Sequence, residues 1–114
     1  MDDFMLFALA AARAKAEAVD HHVSSMVCSD VFYHGDPLGR FSKARARGVL
    51  ACDMETAPLF GIAARFGVRG LSICTVVDSL VTGEEILNSE RQAVFGPMAK
   101  LALDAVADDR QPAK

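Results

Sequence analysis

Acidic residues follow two apolar runs of this 114-residue sequence, at the point where each run ends. The tripeptide DME at 53–55 comes directly after residues 48–52, and Asp78 comes directly after residues 68–77. Both runs are typical of buried strands, and parallel strands end at one edge of a sheet, where open α/β folds bind ligands. Carboxyl groups there can donate a proton or accept hydrogen bonds from hydroxyl groups. The spacing therefore predicts one cleft that receives acids from two strands, but it names no substrate.

Each candidate also has a purely structural interpretation. Asp78 could cap the turn after its strand. Glu55 could be an acid of the first helical turn, which the helix dipole favours. Phe32 belongs to a residue type that is more often part of a core. Taken residue by residue, these alternatives remain open.

The elements that must position the acids alternate between helix and strand. In chain order, the pattern predicts a helix at 3–19, a strand within 22–28, a strand at 48–52, a helix at 55–66 and a strand at 68–77. A last helix is predicted from about Ser89 to about Ala107, with an interruption at Gly96-Pro97. Strand, helix and strand in succession predict a right-handed crossover between parallel strands. We therefore expect an α/β fold with a mostly parallel sheet, as a single domain over residues 1–114.

The first and last helices carry more detailed expectations. The residues predicted to face the core from the first helix are Phe4, Phe7, Ala8, Ala11 and Ala18. Arg13 and Glu17 are predicted on the opposite, solvent-facing side, and Asp2 as the cap. In the last helix, Pro97 lacks a helical N–H, which predicts a kink or break that is either fixed or movable. Residues 108–114 are predicted to fray.

Composition excludes several classes of protein. The net charge of −3 gives no electrostatic reason to expect nucleic acid as a partner. No apolar run approaches the roughly 20 residues that a membrane span needs. The acidic N-terminus is not typical of a signal peptide, and the sequence therefore predicts a cytoplasmic protein. Hydrophobic residues make up 52% of the chain, which suits strands that expect further neighbours.

Other reactive side chains favour structural interpretations. The cysteines at 28, 52 and 74 have no CxxC spacing and are predicted to be free buried thiols. The adjacent histidines at 21 and 22 lack further ligands at zinc-like spacing, so no metal site is predicted. The basic stretch from Arg40 to Arg47 is typical of a solvated face, with an anion site as the alternative.

Taken together, these segments resemble the bacterial, hexameric type of purine nucleoside phosphorylase. The resemblance runs, in order and over nearly the whole chain, through DDFMLFALAAARAKA, SDVFY, ACDMETAPLFGIAARFGVRGLSICTVVDSLVTGEE and SERQAVF. The family shows a D-L-F-Y segment, a strand leading to E-M-E, a helix ending in F-G, a strand ending in T-V-S-D-H, and a helix carrying E-R-Q. The resemblance implies a partial three-layer α/β/α nucleoside phosphorylase-like fold, of which this chain is the C-terminal portion.

The implied reaction is phosphorolysis, in which a purine nucleoside and phosphate give free base and ribose 1-phosphate. Asp78 matches the family's acid that protonates the imidazole nitrogen of the departing purine. Arg91 matches the arginine that approaches this acid when its helix closes over the substrate. The resemblance implies phosphate as co-substrate, no metal or organic cofactor, and a homo-oligomer.

The resemblance also implies which residues bind the nucleoside. Glu55 matches the ligand of the ribose hydroxyls, and Met54 matches the residue that packs against the sugar. Phe32 matches the aromatic residue that faces the base. Asp53 replaces a glutamate of the family pattern and is one methylene shorter.

Departures from the pattern leave some properties open. Val77 and Ser79 replace the family's serine and histidine on either side of Asp78, which leaves base preference open. The family's phosphate loop and phosphate-binding arginines lie in an N-terminal half that has no counterpart in this sequence. The alternatives are a nucleosidase, a uridine phosphorylase, and a non-catalytic nucleoside-binding remnant. Uridine enzymes usually lack an acid at the position of Asp78.

Overall fold

A computed structural model describes residues 3–110 of the chain. Its elements, in chain order, are α1 (Phe4–Ala16), β1 (Met26–Cys28), α2 (Ser42–Ala46), β2 (Ala51–Asp53), α3 (Thr56–Arg65), a 3₁₀ turn (Asn88–Glu90) and α4 (Arg91–Asp109). The predicted α/β class and parallel sheet are confirmed. Within the described residues, no helix is both long enough and apolar enough to cross a membrane.

The sheet brings the ends of β1 and β2 to the same edge. The strands pair in parallel, with Met26 opposite Ala51 and Cys28 opposite Asp53. The backbone N–H of Ser29 donates to the carbonyl of Asp53 at 2.9 Å, which continues the ladder just beyond β1. The loop that follows β1 therefore begins beside the acid that ends β2.

The strand predicted at 68–77 is wrong, because no strand is formed there. The expectation of a segment buried on both faces is wrong as well, because half-buried and exposed residues alternate from residue 73: Thr75 is half-buried, with its hydroxyl 3.2 Å from Met98 Sδ, while Val76 is 73% exposed. This period of two in exposure shows that one side of the extended segment is covered and the other is not. A strand also needs a hydrogen-bonded neighbour at about 4.8 Å, and the ladder in the described residues ends with β2.

The core lies mainly between α1 and α4, which pack against each other. The buried apolar residues in the described part of the chain are Ala10, Ala14, Ala63, Leu101 and Ala105. The predicted core face of α1 is wrong, because Phe4 is 77% exposed while Ala14 is 2% exposed. Alanines occur on every face of α1, so the sequence of this helix hardly distinguishes one face from another. The small side chains that allow α4 to approach decide which face is covered.

Two ion pairs and one capping hydrogen bond correct three further expectations about these helices. Arg13, predicted to face solvent, reaches across to α4 and forms a two-point hydrogen bond with Asp108. Arg69 does the same with Asp109. Residues 108–109 are therefore helical and paired rather than frayed, while residues 111–114 lie outside the described residues. Asp2 also lies outside them, and the cap of α1 is Asp3, whose carboxylate accepts from Leu6 N at 3.0 Å.

Of the kink or break predicted at Gly96-Pro97, the break is wrong, because α4 continues through Pro97, while the kink stays a prediction. A proline inside a helix removes one backbone hydrogen bond and costs about 3 kcal/mol. The packing of α4 on α1, together with the ion pairs of its last turn, offsets this cost. The packing outweighs a local signal that, by itself, predicts an interruption.

We expect stability to fall in acid through the carboxylates of α4. The hydrogen bond from Lys100 holds the pKa of Asp104 below its ordinary value of 3.8, and that from Arg69 does the same for Asp109. A pKa lowered by folding stabilises above the ordinary value and loses that effect as pH falls through the folded value. The free energy of unfolding, from urea titrations between pH 7 and pH 2.5, should therefore decline below about pH 4.

Asp104→Asn should weaken this acid-dependent decline. Asp20→Asn, at an exposed position outside the helices, is the matched control and should retain the full decline. The interpretation fails if both variants lose stability with the same pH dependence as the unaltered chain.

Candidate functional site

The predicted substrate-binding residues gather at the carboxyl edge of the sheet. Phe32 lies in the loop after β1, Asp53 ends β2, and Met54 and Glu55 connect β2 to α3. Phe32 is 70% exposed and Met54 is 36% exposed, so the core interpretation of Phe32 is wrong. The edge therefore presents two large apolar side chains to solvent beside two acids.

Asp53 has one engaged and one unpaired carboxylate oxygen. Oδ2 accepts from the backbone N–H of Thr56 at 3.2 Å and from the Thr56 hydroxyl, which fixes the start of α3. The Thr56 hydroxyl also lies 2.8 Å from Ser72 Oγ, which connects the edge to the extended segment. Asp53 Oδ1 is buried and has no hydrogen-bond partner. Such an acceptor costs about 1–3 kcal/mol until a donor reaches it.

Glu55 stands at the N-terminus of α3, where the helix dipole stabilises its charge. Its Oε2 accepts from the backbone N–H of Met54 at 3.2 Å. The side chain is exposed, and Oε1 makes no hydrogen bond within the described residues. Glu55 therefore lies at the edge with one carboxylate oxygen, Oε1, that is free to accept a hydrogen bond from a ligand.

The turn after Asp78 is capped by another residue. Ser79 Oγ accepts from the backbone N–H groups of Val81 and Thr82, both at 3.2 Å. Gly83, at φ +77°, has a backbone conformation that other residues rarely adopt, and it closes the turn by donating to the carbonyl of Ser79 at 2.8 Å. The carboxylate of Asp78 is exposed and accepts no hydrogen bond within residues 3–110. The turn is therefore capped by Ser79, while Asp78 contributes its backbone, which forms an antiparallel bridge with Glu85, and leaves its carboxylate unused in the turn.

The two strand-end acids act on one side chain of β2. The pKa of the Cys52 thiol is raised first by partial loss of contact with water, although the residue as a whole is exposed, and then by the charges of Asp78 and Asp53, while the nearby guanidinium of Arg40 lowers it. Both acids therefore lie within electrostatic range of Cys52. A raised pKa keeps this thiol neutral and unreactive at neutral pH.

The described cysteines are free, as predicted, but their predicted burial is wrong for Cys52 and Cys74, which are exposed. Within the described residues, no group of three or more His, Cys, Asp or Glu side chains could hold a metal ion.

A cavity of about 300 Å³ lies between β1, β2, α2 and residues 74–81. Asp78 lines it together with Cys52 and Val77, and most of its wall is apolar. This volume is at the small end of the range for ligand pockets, about 300–1,000 Å³. The other predicted site residues do not line the cavity, so the structure places Asp78 at an apolar cavity and Glu55 on the open edge beside β2.

Arg91 is the first residue of α4 and is half-buried. Its Nε is buried and has no hydrogen-bond partner. Within the described residues, no ion pair or hydrogen bond joins Arg91 to Asp78. The structure therefore does not bring these two predicted catalytic residues into contact.

Arg40 is a residue of the edge that the sequence did not distinguish. Its Nη2 donates to Ser29 Oγ at 2.7 Å, and its Nη1 donates to the carbonyl of Phe32 at 3.4 Å. The neighbouring positions 43, 45 and 47 are exposed, as the solvated-face interpretation predicts. Arg40 differs from them only through contacts eight and eleven residues away, which a charge pattern does not reveal. Its one local signal is the adjacent Phe41, whose ring lies 4.6 Å from the guanidinium.

The chain matches a family model of phosphorylases and curated relatives that are named as phosphorylases. A family model described as the phosphorylase superfamily matches residues 3–108. The chain is 38% identical over 104 residues to purine nucleoside phosphorylases DeoD-type from Mannheimia succiniciproducens and from Yersinia enterocolitica. It is 36% identical to purine nucleoside phosphorylase DeoD-type 1 from Vibrio cholerae. Each alignment covers 91% of this chain and 43% of the relative, so the chain spans less than half the length of these relatives.

Proposed function

The chain belongs to the phosphorylase superfamily, and from this premise we propose that it supplies the base- and ribose-binding side of a purine nucleoside phosphorylase. The observation that carries the proposal is the similarity to purine nucleoside phosphorylases over 91% of the chain. The proposed reaction transfers the ribosyl group of a purine nucleoside to phosphate. Its products are the free base and ribose 1-phosphate.

Asp78 is the proposed general acid. A purine anion is a poor leaving group, and protonation of its imidazole nitrogen removes the charge that develops as the glycosidic bond breaks. A base that enters the cavity beside Asp78 would displace water, and loss of water favours the neutral form of a carboxyl group. Support comes from the position of Asp78 at an apolar cavity and from its carboxylate, which accepts no hydrogen bond within the described residues.

Glu55 and Asp53 are the proposed partners of the sugar hydroxyls. Each has a carboxylate oxygen without a protein donor, and a hydroxyl group can supply that donor. Met54 would pack against the sugar, and Phe32 would face the base with its aromatic ring. Both are exposed at the same edge of the sheet as the two acids.

Arg91 is proposed to assist once the proton has left Asp78, because a nearby cation favours the charged carboxylate. Its buried, unpartnered Nε is consistent with a side chain whose final partner is not yet in place. An approach of Arg91 to Asp78 would be a change from this structure, in which no ion pair joins them within the described residues.

The phosphate site is proposed to lie in the part of the domain that the relatives have outside the matched region, since the chain covers 43% of their length. The surface of α3 supports a missing neighbour: Leu59, Ile62 and Phe66 are 44%, 60% and 68% exposed on one helix. We propose that the remaining part of the domain covers this stripe. Residues 1–114 would then be the C-terminal portion of a single domain in a cytoplasmic homo-oligomer that uses no metal or organic cofactor.

We expect the isolated chain to have little phosphorolytic activity, because half of the reaction site is proposed to lie elsewhere. The measurement is release of hypoxanthine and ribose 1-phosphate from inosine and phosphate. The comparison is a chimera that joins this chain to the unmatched part of the Mannheimia succiniciproducens relative. Full turnover by the isolated chain would show that the phosphate site is within it.

The chimera also separates the alternatives. Ribose in place of ribose 1-phosphate would identify a nucleosidase, in which water replaces phosphate. Inosine binding without either product, in a folded chimera, would identify a non-catalytic nucleoside-binding remnant.

A further inference from the structure

The loop at residues 29–33 has little support from the core. Val31, Phe32 and Tyr33 are 50%, 70% and 88% exposed. The rings of Phe32 and Tyr33 meet edge to face, with centroids 5.0 Å apart, but this pair contacts solvent rather than a packed wall. Exposed loop residues with so few buried contacts belong to the least stable part of a fold. Within the loop, the backbone N–H of Val31 donates to Ser29 Oγ at 3.2 Å, and a contact from outside the loop must connect Phe32 to the rest of the fold.

Arg40 supplies that contact through both branches of its guanidinium. Nη2 donates to Ser29 Oγ, at the start of the loop, and Nη1 donates to the carbonyl of Phe32 near its end. The planar fork of an arginine can bridge two acceptors in this way, whereas the single ammonium of a lysine cannot fix both in one geometry. The guanidinium also lies over the ring of Phe41, which holds it from the side of α2.

The contact lies beside the strand-end acids. Ser29, which accepts from Arg40, donates its own backbone N–H to the carbonyl of Asp53. The charge of Arg40 acts on the thiol of Cys52 in the opposite sense to the charges of Asp53 and Asp78. Arg40 therefore lies between the loop that carries Phe32 and the edge that carries the acids.

We propose that Arg40 is a positioning residue that holds the 29–33 loop, and with it the ring of Phe32, over the carboxyl edge of the sheet for a purine base. The role of Phe32 at the base rests on the proposed function, while the holding of the loop does not. A loop that is ordered before binding lowers the entropy cost of association. Loss of Arg40 should thus weaken nucleoside binding without altering the proposed acid.

The first test measures the loop directly and needs no nucleoside. Tyr33 is the only tyrosine in the chain, and there is no tryptophan, so intrinsic fluorescence reports on this loop. In the 114-residue chain, Arg40→Met should lower the anisotropy of Tyr33 and increase its quenching by acrylamide. The matched control is Arg47→Met, which removes an exposed arginine of the same basic stretch and should change neither.

Two further variants keep this test decisive. Ser29→Ala removes the hydroxyl that accepts from Arg40 and from the backbone N–H of Val31, while Arg40 remains, and it should shift quenching in the same direction. Arg40→Lys retains the charge but not the fork, and it should resemble Arg40→Met. Equal quenching in Arg40→Met and Arg47→Met, with far-UV circular dichroism confirming both folds, overturns the proposal, as does full wild-type behaviour of Arg40→Lys.

The second test asks whether the held loop matters for the nucleoside. The dissociation constant of inosine, measured on the 114-residue chain by ligand-observed NMR, should rise about 2–10-fold in Arg40→Met and stay unchanged in Arg47→Met. An altered Tyr33 signal with unchanged inosine affinity overturns the positioning role. Absence of inosine binding by the unaltered chain counts against the proposed function instead, and the fluorescence result then still decides whether Arg40 holds the loop.

Discussion

Replacing Asp78 by asparagine is expected to lower the rate of inosine phosphorolysis by about 10²–10⁴-fold, the range for loss of a general acid. Asparagine has nearly the same shape as aspartic acid, but its amide cannot give up a proton to the leaving purine. The Asp78 carboxylate accepts no hydrogen bond in the described residues, so the change removes no contact of the fold. The effect should therefore appear in kcat of the chimera with the Mannheimia succiniciproducens sequence, with little change in the free energy of unfolding.

The matched control is Glu84→Gln, at an exposed acid in the same turn. It removes the same charge from the same turn and should leave kcat within about two-fold, because an exposed charge that gives no proton to the substrate is largely screened by solvent. Loss of activity in Glu84→Gln as large as in Asp78→Asn would mean that the turn needs negative charge rather than an acid at residue 78.

A change of substrate tests the role of the acid itself. The base of 7-methylinosine already carries a positive charge on its imidazole ring and leaves as a neutral molecule without protonation. Asp78→Asn should therefore lose far less activity with this nucleoside than with inosine. Equal losses with both substrates would assign Asp78 to substrate binding rather than to proton transfer.

The parts of the site that follow from local sequence were predictable. An apolar run that ends at an acid predicts where a buried segment reaches an edge, and this locates Asp53 correctly at the end of β2. The same argument places Asp78 at the end of an extended segment, although that segment has no strand partner in the described residues. Local pattern determines where such a segment ends, whereas pairing depends on what lies beside it.

Contacts between distant residues were not predictable. The sequence predicts that Arg13 faces solvent, because the apolar residues of α1 lie on the opposite side of the helix. Its partner Asp108 is 95 residues away in the chain. Arg40 belongs to a basic stretch whose other members are exposed, and only the position of Ser29 and Phe32 distinguishes it. The identity of the turn cap depended on geometry in the same way, since Ser79 rather than Asp78 turns its side chain toward the backbone. Side chains that connect two elements find their partners only once the fold has assembled. A single sequence does not show which distant residues will become neighbours.

Leu101→Ala is expected to lower the free energy of unfolding by about 2–5 kcal/mol, the range for truncation of a buried leucine. Leu101 is 7% exposed on the face of α4 toward the core, and the other buried apolar residues in the described part of the chain are alanines. A core made of such small side chains has few atoms to move into the cavity that the substitution creates. Domains of this size are typically stable by about 5–15 kcal/mol, so the variant should unfold at a much lower urea concentration.

Leu103→Ala makes the same substitution two residues away on the same helix, where the side chain is 72% exposed. Both variants change helix propensity by the same small amount, so that contribution cancels in the comparison. The exposed variant should stay within about 0.5 kcal/mol of the unaltered chain in urea titrations followed by circular dichroism at 222 nm. If Leu103→Ala is as destabilising as Leu101→Ala, then α4 buries its opposite face as well, against a neighbour that covers Leu103 in solution. A large difference between the two instead shows that α4 stabilises the chain mainly through the face that carries Leu101, while the face that carries Leu103 stays in contact with solvent.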